Sequence, residues 1–253
     1  MNRFNFENKI ILITGSSSGL GFIMARGLAQ EGAIVILNGR DGVKLTNTVQ
    51  SLRNENLNVD GFVFDVSDST EVKKSVAQIT TKYGNIDILV NNAGIQIRGA
   101  LEDFEEADWN QILKINLSSA FFVSKEVVKS MIERKSGKII NICSLQSDLA
   151  RPTIAPYSAS KGGLKMLTRA MATEWAKYNI QVNAIGPGYF KTEMTKALYQ
   201  NREFDTWLCN RTPANRWGNP DELLGVLIFL ASGASSYVNG QIIYVDGGMT
   251  ACV

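Results

Sequence analysis

The chain has 253 residues, of which 45% are hydrophobic and 20% are charged, and its formal net charge is +2. A chain of this length buries roughly 70% of the surface that its unfolded form exposes, so it needs neither disulfides nor a structural metal to be stable. These proportions predict a single globular domain over residues 1–253 and exclude collagen-like, disordered and disulfide-scaffold classes.

The charge and the cysteines of the chain indicate its cellular compartment and the classes of partner that it does not bind. The 26 basic residues nearly balance the 24 acidic ones, which excludes the basic footprint of a nucleic-acid-binding protein. Residues 1–4 lack an apolar signal core, and the longest apolar run, 223–231, is far shorter than the ~20 residues of a membrane span. The three cysteines form no C-x-x-C pair and indicate reduced thiols. We therefore expect a cytoplasmic protein with no nucleic-acid or membrane partner.

Short apolar runs rich in β-branched residues alternate with stretches of helical periodicity along the whole chain, a pattern typical of a parallel sheet with helices on both faces. The predicted strands cover residues 9–14, 33–37, 59–64, 86–90, 138–142, 180–185 and 241–245. Apolar stripes predict helices over 20–28, 72–83, 108–134 and 158–177, with a stop at Asn179. The expected fold class is α/β, a doubly wound parallel sheet of about seven strands.

One long irregular region, residues 186–219, interrupts this alternation and contains a predicted short helix around 196–208. A long ordered excursion within a compact domain is typical of a lid or binding loop. We predict that the region is a substrate-binding lid, in which Trp207 and Trp217 serve mainly for core packing.

The first chemical motif is T-G-S-S-S-G-L-G at residues 14–21, between the first strand and the first helix. Glycines allow a tight turn and close approach to a pyrophosphate, and the start of the helix favours negative charge. The motif predicts a dinucleotide site, although its spacing differs from the usual G-x-G-x-x-G. The predicted contacts are Gly15, Ser17, Ser18, Gly19, Leu20 and Gly21.

The end of the second strand indicates which dinucleotide binds. A site for NAD carries an acid there for the ribose 2′-hydroxyl, whereas this chain reads Asn38-Gly39-Arg40. A guanidinium pairs well with a 2′-phosphate, so the residues favour NADP over NAD. The alternative is that Arg40 pairs with Asp41 or faces solvent.

Histidine is absent, which excludes Ser-His-Asp and Cys-His catalysis and His-ligated zinc, and we expect no metal. Tyr157 and Lys161 are spaced to share one face of a helix, and Ser144 follows a strand. A tyrosine has a pKa of about 10, which the ammonium of a nearby lysine and the charge of an oxidised nicotinamide both lower. Tyr157 is therefore a candidate to exchange a proton with an alcohol or carbonyl oxygen, and Ser144 to hydrogen-bond that oxygen.

In order and spacing these motifs, with Asn91-Asn92-Ala93-Gly94 and Pro187-Gly188 followed by Thr192, resemble the short-chain dehydrogenase/reductase family over nearly the whole chain. The resemblance implies a seven-stranded Rossmann sheet, usually in a homotetramer or otherwise a dimer. It also implies a catalytic tetrad in which Ser144 polarises the substrate oxygen, Tyr157 is the acid/base, Lys161 also binds the nicotinamide ribose, and Asn116 holds a relay water.

The same resemblance implies further cofactor contacts, and hydride transfer between the nicotinamide and the substrate carbon. Asp65 and Val66 would contact adenine, and Thr192 would bind the carboxamide. The remaining implied contacts are Asn92, Ala93, Gly94, Tyr157, Lys161, Pro187, Gly188 and Phe190.

Four segments outside the general signature, residues 91–96, 141–146, 188–198 and 211–218, resemble the branch of the family that interconverts D-gluconate and 5-keto-D-gluconate. Arg98 or Arg151 could clamp the carboxylate of such a sugar acid, unless they are ordinary surface cations. The predicted substrate-binding residues are Arg98, Ser144, Gln146, Arg151 and Tyr157, with Gln96 and Lys191 also on the predicted rim.

Two other functions stay open at this point. The same mechanism could act on a different substrate, a 2-deoxy-gluconate oxidised at C3 or a 3-oxoacyl thioester, although the polar rim disfavours a lipid chain. The chain could also be a dinucleotide-sensing regulator without catalysis. That function would not need a tyrosine with a perturbed pKa, so the intact tetrad disfavours it.

Overall fold

The computed structural model describes residues 3–252 and contains one seven-stranded sheet in which all neighbouring strands are parallel, in the order β3-β2-β1-β4-β5-β6-β7. This confirms the predicted doubly wound fold. The strands are β1 (Ile10–Ile13), β2 (Ile34–Gly39), β3 (Val59–Val63), β4 (Ile88–Asn91), β5 (Gly137–Ile142), β6 (Ile180–Pro187) and β7 (Ile242–Val245).

Helices connect the strands and cover both faces of the sheet. The α-helices are α1 (Gly19–Gln30), α2 (Gly42–Asn54), α3 (Ser69–Tyr83), α4 (Glu106–Leu113), α5 (Ser119–Arg134), α6 (Ala155–Trp175), α7 (Lys196–Tyr199), α8 (Arg202–Arg211) and α9 (Leu224–Ala231).

The apolar strands divide the core into two layers. Ile11 and Ile13 of β1 pack in the layer that includes residues of α1 and α9, whereas Leu12 packs in the layer that includes residues of α3, α5 and α6. Successive side chains of a strand point to opposite faces, so a strand with helices on both sides buries apolar side chains on both of its faces. The β-branched runs in the sequence therefore become a sheet buried on both faces.

The strand order brings separate parts of the chain to one edge. β1 lies between β2 and β4, so the connections from its two neighbours run in opposite directions from this point. Ligands of open parallel sheets bind outside the carboxyl ends of the strands at such a switch point. The segments that follow β1, β4, β5 and β6 meet there.

The long predicted helix over 108–134 differs from the structure in one respect. It begins earlier, as α4, and a π-helical turn, Lys114–Ser118, separates α4 from α5. Within this turn the amide of Asn116 bonds to the backbone of Ile95 outside the helix. A π-turn inserts one residue into a helix and re-aims its side chains, often at functional sites.

The helix predicted over 158–177 begins three residues earlier, as α6, and continues into a short 3-10 turn, Ala176–Tyr178, that ends at Asn179. Asn179 has a left-handed φ of 57°, which confirms the predicted stop. The single helix predicted around 196–208 is two helices, α7 and α8, because Asn201 breaks the run and its side chain accepts a hydrogen bond from Phe204 N at 2.9 Å.

The part of the chain that the structure describes contains no helix long and apolar enough to cross a membrane. Met1 and Asn2, in the segment predicted to lack a signal core, lie outside the described residues.

Candidate active site

A cleft of about 570 Å³ opens at the carboxyl ends of the strands. All predicted cofactor and substrate contacts line it, whereas Asn116 of the predicted tetrad lies behind the lining. The lining residues that had been predicted are Gly15, Ser17, Ser18, Gly19, Leu20, Gly21, Arg40, Asp65, Val66, Asn92, Ala93, Gly94, Gln96, Arg98, Ser144, Gln146, Arg151, Tyr157, Lys161, Pro187, Gly188, Phe190 and Thr192.

The glycine-rich turn follows β1 directly and is shaped by two left-handed glycines. Gly15 has a φ of 61° and Gly19 a φ of 59°, a region that other residues adopt at a cost. Asn38, at the carboxyl end of β2, accepts a hydrogen bond from Gly15 N on its Oδ1 at 3.1 Å. The turn therefore has a set conformation before any ligand contacts it.

Asn92 joins this turn to the end of β4. Its Nδ2 donates to the carbonyl oxygens of Thr14 and Gly15, both at 2.9 Å. In return the Thr14 hydroxyl oxygen accepts hydrogen bonds from the backbone N–H groups of Asn92 and Ala93. The predicted cofactor residue Asn92 thus also supports the backbone of the cleft.

Asn38 is a residue of the site that the sequence reasoning missed. It is 1% exposed in an otherwise apolar strand, and its amide also donates to Phe64 O at 3.0 Å. A buried amide must be fully hydrogen-bonded to be tolerated there. A polar residue near the end of the apolar run I-V-I-L-N-G was the signal that could have identified it.

Arg40 lies at the open end of the cleft, where β2 ends, and no acid occupies the preceding position. The carboxylate of Asp41 accepts a hydrogen bond from Lys44 N at 3.0 Å and so caps α2. No ion pair joins Arg40 to Asp41 or to another acid of residues 3–252. The guanidinium is therefore available to an anionic ligand.

The fold brings Ser144, Tyr157 and Lys161 together at the inner end of the cleft. Ser144 follows β5, and its hydroxyl oxygen accepts a hydrogen bond from Gln146 N at 3.1 Å. Lys161 is buried in α6 and donates from Nζ to Ile142 O at 2.7 Å. The Lys161 Nζ lies 5.8 Å from the centroid of the Tyr157 ring.

The sequence predicted a lowered pKa for Tyr157, but the protein's own groups raise it. Burial raises the pKa of Tyr157 to about 12, and its hydrogen bond with Ser144 opposes this only partly. Burial likewise lowers the pKa of Lys161 to about 8. The cost of desolvating a phenolate outweighs the nearby ammonium, so Tyr157 is a phenol at neutral pH, ready to donate a proton.

Asn116 holds the segment after β4 in place. Its Oδ1 accepts from Ile95 N at 2.8 Å, and its Nδ2 donates to Ile95 O at 2.9 Å and to the Ser160 hydroxyl at 3.1 Å. The amide is therefore committed to positioning contacts, and a part in a proton relay stays a prediction.

Two arginines that line the cleft, Arg98 and Arg151, have no acid beside them. Arg98 and Arg151 form no ion pair with any residue between 3 and 252. The pKa of Arg98 is lowered, first by its burial and second by the positive charge of Arg151. Arg151 Nε and Gln146 Oε1 are buried without a hydrogen-bond partner. Buried polar atoms normally have partners, so this part of the cleft fits a polar, anionic ligand.

The region predicted to be a lid packs around Trp217, which is 5% exposed and donates from Nε1 to the Asp205 carboxylate at 2.7 Å. The Trp217 indole contacts the rings of Tyr189, Tyr199 and Phe204. The prediction that Trp207 also packs in the core was wrong, since it is 45% exposed. Motion of this region stays a prediction.

Lys191 does not reach the cleft as expected. It lines a separate shallow depression with Asp205, Arg216 and Trp217. Its neighbours Phe190 and Thr192 both line the cleft, and its own backbone N–H bonds to Gly218 O at 3.2 Å.

Comparison with known proteins gives three consistent results. The family model described as short chain dehydrogenase matches residues 9–203. The 5-keto-D-gluconate 5-reductase of Escherichia coli is 50% identical over 250 residues, which cover 99% of this chain and 98% of that protein. The gluconate 5-dehydrogenase of Gluconobacter oxydans is 50% identical over 247 residues, covering 98% of this chain and 96% of that protein.

Among solved structures, a gluconate 5-dehydrogenase from Burkholderia cenocepacia in complex with NADP and tartrate superposes with a TM-score of 0.97. It is 50% identical in sequence, and the match covers 100% of this chain and 99% of that one.

Proposed function

The chain belongs to the short-chain dehydrogenase family, and on that premise we propose that it is an NADP-dependent oxidoreductase that interconverts D-gluconate and 5-keto-D-gluconate. The observation that carries the proposal is the placement of Ser144, Tyr157 and Lys161 in the same cleft as two arginines that form no ion pair within residues 3–252. The first three supply proton chemistry for an alcohol or carbonyl, and the arginines match a carboxylate.

The residues of the cleft fit NADP. A Cβ on Gly15 would lie 2.8 Å from Ala93 Cα, so this turn excludes side chains and leaves its backbone to a pyrophosphate. Arg40 would pair with the 2′-phosphate, and Lys161 and Thr192 would hold the nicotinamide end. When bound, NADP supplies the hydride exchange with the substrate carbon.

The proton chemistry rests on Tyr157. In the reductive direction its phenol donates the proton to the oxygen at C5, while the Ser144 hydroxyl donates a hydrogen bond to the same oxygen. Lys161, as an ammonium, stabilises the phenolate that remains and returns a proton towards it. The reverse steps remove the proton from the hydroxyl of gluconate.

The carboxylate of the sugar acid would lie against Arg98 or Arg151, and Gln146 would accept a hydrogen bond from a hydroxyl. We expect at least one of Arg98→Met and Arg151→Met to raise KM for 5-keto-D-gluconate about 10- to 100-fold, because a hydrogen bond to a charged group contributes about 1.5–3 kcal/mol. Lys191→Met, which removes one charge in the neighbouring depression, is the matched control. Unchanged KM values in both arginine variants would refute the clamp.

The reductase rate should depend on pH through Lys161. Its pKa is lowered to about 8, so the ammonium is present below this pH and lost above it. We expect kcat/KM for 5-keto-D-gluconate to be flat below pH 7 and to fall as the pH rises through about 8, because the proton donor behind Tyr157 is then lost. Initial rates between pH 6 and 10 measure this, with circular dichroism to verify folding; a flat profile to pH 10 contradicts the assigned role.

The proposal as a whole is tested by the loss of absorbance at 340 nm when the protein is mixed with NADPH and 5-keto-D-gluconate. NADH, the 3-keto product of 2-deoxy-gluconate and a 3-oxoacyl thioester are run in parallel. Rapid oxidation of NADPH with the 5-keto acid is the expected result. Turnover confined to another carbonyl would reject the gluconate assignment, and no turnover with any substrate would favour a regulator.

For the assembly we propose a homotetramer, or failing that a dimer, in the cytoplasm. Its support is apolar surface on neighbouring helices: Trp109 in α4, Phe121 in α5 and Met166 in α6 are 36%, 45% and 60% exposed. The three cysteines are free thiols, which suits a reducing compartment. Light scattering after size exclusion should give four, or else two, times the 27.8 kDa of the chain, and a monomer contradicts the proposal.

A further inference from the structure

Two cations with no acidic partner lie at the end of the cleft where β2 and α2 meet. Arg40 and Lys44 both line the cleft, beside Ser17, Ser18 and Gly39. Neither cation forms an ion pair with any acid in the described part of the chain. Of the two, only Arg40 was predicted from the sequence to contact the cofactor.

Lys44 reaches across the cleft to the glycine-rich turn. Its Nζ donates a hydrogen bond to the Ser18 hydroxyl oxygen at 2.9 Å. Ser18 precedes α1 in an extended conformation, and its side chain makes no capping hydrogen bond. Because the Ser18 oxygen accepts from an ammonium, its own O–H remains to donate, so both groups offer protons to an acceptor in the cleft.

The position of Lys44 is set by its helix rather than left to a mobile side chain alone. The Thr48 hydroxyl, one turn further along α2, donates to Ser17 O at 3.1 Å. The Asp41 carboxylate caps the same helix by accepting from Lys44 N. The Thr48 hydroxyl also lies 2.8 Å from Lys44 O, so it links the backbone of Lys44 to that of the glycine-rich turn, and the Asp41 cap stabilises the start of the helix.

Arg40 and Lys44 place two positive charges at this end of the cleft, and no ion pair within residues 3–252 neutralises either of them. Of the acids that line the cleft, Asp65 accepts a hydrogen bond from Ser67 N and Glu193 lies 3.6 Å from Lys196. A phosphate monoester carries a charge of about −1.5 to −2 at pH 7. One guanidinium neutralises half of it, and an ammonium beside a free hydroxyl donor completes the match.

We propose that Lys44 is a second determinant of cofactor specificity, which binds the 2′-phosphate of NADP together with Arg40 and Ser18. The inference rests on the proposed use of NADP and does not depend on the sugar-acid substrate. It implies that the preference for NADP over NAD is shared between the end of β2 and the first turn of α2.

The test measures binding without turnover, by titrating the nicotinamide fluorescence of NADPH and NADH against Lys44→Met, Lys44→Arg and Arg40→Met. Lys44→Met should weaken NADPH binding about 10- to 100-fold and NADH binding less than about twofold, as expected for loss of a hydrogen bond to a charged group. Lys44→Arg should retain most of the NADPH affinity. Lys177→Met, in the 3-10 turn before β6 and outside the lining of the cleft, controls for net charge.

Two results would overturn the role of Lys44: equal weakening of NADPH and NADH, which would make it a support for the turn, or no change while Arg40→Met loses NADPH affinity. A different result would refute the underlying assignment of NADP as cofactor: equal affinities for NADH and NADPH, both in the parent protein and in the Arg40→Met variant. Adenosine 2′,5′-bisphosphate and 5′-AMP, used as competitors, report the 2′-phosphate contribution directly.

Discussion

Replacement of Tyr157 by Phe is expected to lower kcat for the reduction of 5-keto-D-gluconate by about 10²- to 10⁴-fold, the usual contribution of a general acid or base. The substitution removes only the hydroxyl, so the ring still fills its place beside Lys161 and Ser144. The glycine-rich turn and the Arg40 end of the cleft are untouched, so NADPH should bind within about threefold of its normal Kd.

The measurement pairs initial rates at 340 nm with fluorescence titration of NADPH on the same samples. Tyr178→Phe, in the 3-10 turn before β6, removes a hydroxyl outside the cleft and should be neutral. A Tyr157→Phe enzyme that kept more than about a third of its activity would show that another group transfers the proton.

Replacement of Gly21 by Ala should destabilise the protein and weaken dinucleotide binding at the same time. A Cβ at this position would lie 2.5 Å from Asn92 Nδ2 and 2.5 Å from Gly15 O, closer than real Cβ contacts allow. The Asn92 amide would have to leave its bonds to Thr14 O and Gly15 O. Buried groups left without partners cost about 1–3 kcal/mol each, so we expect a loss of about 2–4 kcal/mol.

Thermal unfolding should register this loss as a Tm lower by roughly 5–15 °C, and NADPH affinity should fall at least tenfold. The matched control is Gly225→Ala in α9, where a Cβ would meet nothing within 4 Å. There the methyl group should stabilise the helix by about 0.5–1 kcal/mol. A Gly21→Ala protein as stable as the parent, with unchanged NADPH affinity, would refute the assigned geometry of the turn.

The fold was predictable because its signals are local in the chain. The runs I-I-L-I in β1 and I-V-I-L in β2 are apolar on both faces, and a sheet covered by helices on both sides buries such strands. The stop at Asn179 was predictable for the same reason, since a left-handed residue ends a helix by its own backbone preference.

The predictions that were wrong concern segments where contacts between distant residues override the local sequence pattern. The periodicity over 108–134 predicts a regular helix, but the bonds of Asn116 to Ile95 accompany a π-turn that interrupts it. The local sequence does not distinguish Trp207 from Trp217 as a core residue. Only Trp217 is buried, because its indole N–H bonds to Asp205 and its ring packs against Tyr189.

Residue types and their spacing were enough to predict the family fold, the dinucleotide turn and the group of side chains that would exchange a proton, because each depends on short-range periodicity or on a motif read along the chain. Only the tertiary structure decided the electrostatics of the site. Burial sets the pKa of Tyr157 at about 12 and that of Lys161 at about 8, and packing places Arg98 near Arg151 and Lys44 against Ser18. Desolvation and charge pairing depend on which distant segments meet in space, and spacing along the chain does not encode them.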